Sequence, residues 1–216
     1  MNLKLLQEGA SAFGIKLTDQ HVMRLRQFMD ELLRWNRSLN LTAITRPDEV
    51  VVKHVVDAMS IVPLLAPDER LLDVGSGAGL PGLVVAILRT DLSITSLDAV
   101  DKKVRFQRHI CRLLGLNRVE ALHGRVEQLS ETRPGQFDLV TSRAFRDPVR
   151  FMQLAHRLVR PSGRVVAMVS GAGYATGQQI DQCAHEFGFQ VLETISYELP
   201  KVMGARKLVV FGRNQL

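Results

Sequence analysis

The chain is short of the residues on which several kinds of chemistry depend. It has two cysteines, Cys111 and Cys183, each within a helix-like pattern and not in a CxxC pair. Isolated cysteines read as reduced thiols in a cytoplasmic protein, not as a disulfide framework. Neither has a histidine at ligand spacing and the six histidines are scattered, so no metal site is expected. No apolar run approaches the ~18 residues that span a bilayer. Met1 to Phe13 also lacks the apolar block and small-residue cleavage site of a secretion signal. Membrane-embedded, disulfide-built and metal-dependent classes drop out. What is left is a soluble chain of 216 residues, enough for one generous domain.

Its charge is unbalanced. Lys and Arg number 28 against 22 Asp and Glu, a formal net charge of +6. Residues 102–164 hold fourteen of those bases and five of the acids, so half the basic residues lie in under a third of the chain. The asymmetry favours a polyanionic partner over a merely solvated basic face. Lys102, Lys103, Arg105, Arg108 and Arg112 follow helical spacing there, either as a phosphate-tracking face or as a solvated one.

The first sixty residues read as helical. Thr18 caps a segment in which Val22, Leu25, Phe28, Leu32 and Leu33 recur every three or four positions. Thr45-Arg46-Pro47-Asp48 offers a second cap, with Pro47 early in a helix that carries His54 and Asp57. His54 and Asp57 read as a structural pair before a functional one, and Trp35 as an anchor between helices. From residue 70, strands are expected over 70–74, 94–98, 118–122, 137–142, 164–169, 190–197 and 207–212. Helices are expected over 81–89, 101–114, 147–159 and 175–187. This alternation predicts a mostly parallel sheet with helices on both faces. The last two strands leave no room for a helix and must pair as an antiparallel hairpin. The expected division is a helical extension over 1–60 and the sheet domain over 61–216, together one compact unit.

Residues 71–82, Leu-Leu-Asp-Val-Gly-Ser-Gly-Ala-Gly-Leu-Pro-Gly, end a strand in an acid and four closely spaced glycines. Such a turn lets a ligand touch bare backbone. Gly77, Gly79 and Gly82 match the spacing of a dinucleotide fingerprint, which alone is weak. A pyrophosphate would meet an unwelcome acid at Asp73. S-adenosylmethionine carries an ammonium and a sulfonium, which Asp73 favours. Asp98, ending the next strand, suits the hydroxyls of a ribose. The alternative for Asp73 is that it caps the helix beginning near Pro81. After the third strand, Val126 is placed to pack on the adenine, with Glu127 or nearby backbone at its polar edge.

The fourth strand runs into Ser142-Arg143-Ala144-Phe145. No Asp/Asn-Pro-Pro-aromatic loop follows it, which argues against an exocyclic base amine as acceptor. No cysteine lies near it, as carbon-5 pyrimidine methylation requires. Guanine N7 needs neither device, having a lone pair and no proton to remove. Arg143 is the candidate for positioning such a base or a phosphate, and Phe145 for stacking on it.

Trp35-Asn36 with Asn40-Leu41-Thr42-Ala43-Ile44, the run from Asp73 to Gly82, and Ser142-Arg143-Ala144-Phe145 together resemble the RsmG (GidB) family over nearly the whole chain. The resemblance implies a class I, Rossmann-like methyltransferase that moves a methyl from S-adenosylmethionine to N7 of one guanine in 16S ribosomal RNA. Free RNA or the small ribosomal subunit would be its partner, and a monomer is expected. By the family's motif, cofactor contacts fall on Gly75, Leu80, Val126, Glu127 and Arg143, beside Gly77 and Gly79 of the same loop. Asp73 and Asp98 are added from the charge and ribose arguments, and Arg206 matches a basic position that would contact RNA. One departure is visible: the fifth strand ends Val169-Ser170-Gly171, where the family usually has a lysine before the glycine, so no lysine–substrate contact carries over. Two other readings stay open, a ribosome-assembly factor that keeps the cofactor pocket without turnover, and a methyltransferase of small molecules or proteins.

Overall fold

The computed structural model describes residues 1–143, 148–170 and 177–214. Its N-terminal part is helical: α1 (Leu3–Ala12), α2 (Asp19–Leu39), then α3 (Pro47–Val50), a π-helical turn (Val51–Val56) and α4 (Asp57–Met59) in one continuous run. Thr18 caps α2, its hydroxyl accepting from His21 N while His21 Nδ1 accepts from Thr18 N. The second cap falls on Arg46, not Thr45, and makes no side-chain hydrogen bond; Pro47 takes the first helical position, where its missing N–H costs nothing.

The strands are β1 (Arg70–Val74), β2 (Ser93–Asp98), β3 (Val119–His123), β4 (Phe137–Ser142), β5 (Val159–Ser170), β6 (Phe189–Glu198) and β7 (Ala205–Arg213). They form a seven-stranded sheet in the order β3-β2-β1-β4-β5-β7-β6. The first five are parallel, and β7 runs antiparallel to both β5 and β6. The helices α5 (Gly82–Leu88), α6 (Asp101–Leu114), α7 (Val126–Thr132), α8 (Pro148–Ala155) and α9 (Gly177–Glu186) alternate with the strands.

Successive residues of each central strand feed opposite cores, as the two-residue period requires. Leu71, Leu139, Val166 and Leu208 join the N-terminal helices and α5 in one cluster. Leu72, Val140, Val165 and Val209 join α7, α8 and α9 in the other. The N-terminal helices therefore share a core with the sheet. Leu25, Phe28, Met29 and Leu32 bury one face of α2, at about 1.5–3 kcal/mol for each side chain. Trp35 fixes α2 to α6 by an edge contact with Phe106 and by stacking on His109 at 4.9 Å.

One boundary differs widely from expectation. The apolar spacing of Leu154 and Leu158 extends a helical pattern to residue 159, yet α8 stops at Ala155 and β5 begins at Val159. The backbone of this stretch is claimed by the sheet: Gly135 N donates to Arg157 O, and Phe137 N to Leu158 O. A register shift between Phe137 and Leu139 admits Pro161 and Gly163 into the strand. A side chain at 163 would come within 2.8 Å of Asp138 O, which is why glycine stands there.

Candidate active site

The glycine loop leaves the end of β1 and is shaped by backbone freedom. Gly75, Gly77 and Gly79 all have positive φ, at 66°, 60° and 84°, which L side chains resist. Ser76 fastens the loop to the next strand, its N donating to Leu97 O. The buried Gln107 of α6 donates from Nε2 to both Ser76 Oγ and Gly77 O, each at 2.8 Å. Above Gly77 lies open space, whereas a Cβ on Gly79 would sit 2.3 Å from Leu83. Gly79→Ala is therefore expected to cost about 1–3 kcal/mol through overpacking and strain and to weaken cofactor binding. Thermal denaturation paired with calorimetry checks both; wild-type values in both would mean the loop tolerates a different backbone. Leu80 is buried beside Gly79.

Asp73 lies beneath this loop, fully buried. Its Oδ2 accepts from Gly82 N at 2.8 Å, so it does cap the entry to α5. Its Oδ1 has no hydrogen-bond partner. Burial pushes the carboxyl up to about 7, against the pull of Gly82 N–H and Arg143. Asp98, at the end of β2, grips the loop from the side: Oδ2 accepts from Gly77 N at 2.7 Å and Oδ1 from Val100 N at 2.8 Å. The carboxylate assigned to a ribose thus holds loop backbone in this structure. Val126 is buried at the start of α7 and Glu127 is exposed beside it. Gly124 N donates to Asp98 O, which brings this turn against the same strand end.

Arg143 follows β4, the neighbour of β1. Its Nη1 donates to Lys53 O at 2.9 Å, and lies 3.3 Å from His54 Nδ1 and 3.6 Å from Asp57 Oδ2. The π-helical turn and the first residue of α4 thus deliver three groups to one guanidinium, in keeping with the placement of such turns at functional sites. Asp57 also pairs with Arg206 of β7, Nε to Oδ1 at 3.4 Å, and accepts from the Tyr197 hydroxyl at 2.9 Å. Burial raises the Asp57 carboxyl, while Arg143, Arg206 and Tyr197 act against it. Burial and Arg143 depress His54 to about 3, so its imidazole is neutral. Arg143, Arg206, His54 and Asp57 line a cavity of about 200 Å³ with Met168, Val169 and Ser170. Phe145 lies outside the described residues.

The whole chain finds close relatives. Residues 21–209 match the family described as GidB, rRNA small subunit methyltransferase G. The chain belongs to this family. The ribosomal RNA small subunit methyltransferase G of Geobacter sulfurreducens is 40% identical over 97% of this chain and 96% of its own length. That of Acinetobacter baumannii is 35% identical over 96% of both. Solved structures agree on the fold. A 1,6-didemethyltoxoflavin-N1-methyltransferase from Burkholderia thailandensis covers 93% of this chain and 92% of its own, with a TM-score of 0.61 at 16% identity. TYW2 of M. jannaschii, solved in complex with AdoMet, gives 0.60 at 12% identity over 74% of this chain and 76% of its own. As a GidB-family protein the chain is an S-adenosylmethionine-dependent methyltransferase of the class I fold.

The loop fits that cofactor. Positive-φ glycines leave backbone open to approach, and two buried oxygens at the loop, Asp73 Oδ1 and Gln107 Oε1, lack donors. The acids Asp73 and Asp98 supply negative charge where an ammonium and a sulfonium would be held. Sequence reasoning missed Gln107, hidden in a helix otherwise read for its cations. It also missed Asn36, whose amide pairs both ways with Thr42. Thr42 Oγ1 in turn meets His54 Nε2 at 2.8 Å. The Trp-Asn and Asn-Leu-Thr segments are thereby tied to the π-helical turn and to Arg143.

Proposed function

We propose that the chain methylates N7 of a single guanine in 16S ribosomal RNA, in the cytoplasm and as a monomer, with free RNA or the small subunit as its partner. The juxtaposition at the C-terminal ends of β1 and β4 supports it: a glycine loop suited to the methyl donor beside an arginine-lined cavity. S-adenosylmethionine supplies the methyl as an electrophile on a positively charged sulfur. Gly75, Gly77, Gly79, Leu80, Asp98, Val126 and Glu127 would hold the donor, with Asp73 beneath them. Guanine N7 needs no general base, so what the chain provides is position. Arg143, fixed by Lys53 O and Asp57, has donors for guanine O6 or a phosphate. Arg206 adds a second cation facing the same cavity. Residues 1–60 work as part of this unit, because the π-helical turn that holds Arg143 comes from them.

Incubation with labelled methyl donor and either 16S RNA or small subunits, followed by nucleotide mapping, tests this reading. N7-methylguanosine at one position is the expected product. Label in protein, in a small molecule or at another base atom would overturn it. Arg143→Ala is expected to lower methyl transfer by about 100-fold through lost positioning. Full activity in a folded variant would remove Arg143 from the site.

A further inference from the structure

The exposed face of α6 is mostly basic, and two cavities lie beyond its end. Arg105, Arg108 and Arg112 stand exposed on the side away from the buried Val104, Phe106, Gln107 and Ile110. Spaced three and four residues apart, they are neighbours on one face. Lys102 and Arg112 carry no ion pair among the described residues, and the only acid paired on this face is Asp101, with Arg105 at 2.9 Å. Arg108 Nε donates to Ala121 O, which stretches that side chain over β3, the strand at the edge of the sheet.

The helix runs from the C-terminal ends of the parallel strands back to their N-terminal ends. It starts beside the site, where Lys103 Nζ is 3.9 Å from Asp98, and its 14 residues cover roughly 21 Å. Beyond its end lies a cavity of about 390 Å³ that includes Arg70, Ser93, Val119 and Phe137, the first residues of β1, β2, β3 and β4. Arg118 and Arg133 also line it. Glu120 is the acid in its wall, and both its oxygens are taken by Arg133 at 2.6 and 2.8 Å. Arg70 carries no ion pair among the described residues. Arg118 donates to Ser93 Oγ and is 3.8 Å from the exposed Asp68. A second cavity, of about 250 Å³, shares Asn117, Arg118 and Val119 and adds Arg24 and Arg89. Asp101, Asp68, Glu120 and Asp91 each pair with one arginine of this route, which leaves Lys102, Arg108, Arg112, Arg70 and Arg24 without an ion pair among the described residues.

We infer that α6 and the arginine-lined cavity beyond it form a track for a phosphodiester backbone, leading RNA from the C-terminal ends of the strands, where methyl transfer takes place, to their N-terminal ends. The inference rests on the RNA-methylation reading and adds where the RNA lies. Charge suits it: each phosphate carries one negative charge, which an arginine without an ion pair can neutralise. The contacts are with phosphates, so the track adds affinity and register without reading sequence.

Two variants test it, Arg105→Gln/Arg108→Gln/Arg112→Gln on the helix and Arg70→Gln/Arg118→Gln at the cavity. Glutamine keeps helix propensity close to that of arginine. Binding of a labelled 16S RNA transcript is measured across a potassium chloride series, beside donor affinity by calorimetry and methyl transfer to the same RNA. For the helix variant we expect RNA affinity to fall at least about tenfold and the log–log salt slope to become shallower by about two, near 0.7 per lost contact to a single strand. Donor affinity and kcat should hold while KM for RNA rises. Unchanged RNA affinity and slope in both variants would overturn the track, and wild-type methylation in the same assay would leave the enzymatic reading standing. Failure of wild type to methylate any RNA would instead overturn that reading. Loss of binding to small subunits with binding to bare RNA intact would also overturn the track, because the face would then be docking on an acidic ribosomal protein.

Discussion

Asp57→Ala is expected to lower stability by about 3–5 kcal/mol, the usual cost of deleting one partner from a buried ionic cluster. In a chain of this size that is a fall in melting temperature of roughly 6–20 °C. Asp57 is 3% exposed and, among the described residues, is the one acid shared by Arg143 and Arg206. Without it two half-buried guanidinium groups face each other across a cavity, and Tyr197 keeps only Ser60 as a hydroxyl partner. Methyl transfer should fall with stability, because among the described residues Arg143 then retains only Lys53 O and His54. Asp57→Asn separates charge from shape, since its amide oxygen still accepts one bond. We expect it to recover part of the melting temperature and little of the activity. A melting temperature unchanged in both variants would mean the arginines find water as readily as they find Asp57.

Much of this architecture is legible in the sequence for simple reasons. β1 and β4 are short apolar runs bounded by turn residues, and their limits agree with expectation at 70–74 and 137–142. α6 is written in its apolar period and Gly115, which takes the left-handed conformation at its end. β5 was misjudged at its start because Leu158 continues a helical spacing while its backbone is bonded into the sheet. The candidate site divides similarly. The glycine loop can be read because positive φ demands glycine. Asp98 points to the right strand end, yet the sequence does not say that its oxygens grip Gly77 and Val100. The union of Arg143 with Arg206 is a fact of topology, because β4 and β7 lie on either side of β5 and a helix from residue 57 lies across their ends. His54 and Asp57, one helical turn apart, suggested a pair; each instead meets Arg143.

Asp73→Asn is expected to weaken S-adenosylmethionine binding about 10- to 100-fold while leaving the fold intact. Asparagine caps helices about as well as aspartate, and its oxygen still accepts from Gly82 N–H. What the substitution removes is charge. Burial holds this carboxyl at about 7, above the ordinary 3.8, so near neutrality it is only partly ionised. A cation bound at the loop favours the ionised form and draws the proton off. The pH dependence follows in sign. Below about 7 a proton must leave before the charge is available, so donor affinity falls as pH drops from 8 to 6, by at most about tenfold per unit. Above that range it levels off. In Asp73→Asn the same titration should be flat, because an amide has no proton to release. Calorimetry across that range decides between the two roles Asp73 has in sequence. Equal affinity and equal pH response in the two proteins would make it a cap for α5 and nothing more, and the preference of this loop for a cationic cofactor would then have to come from Asp98 and the open backbone of Gly77.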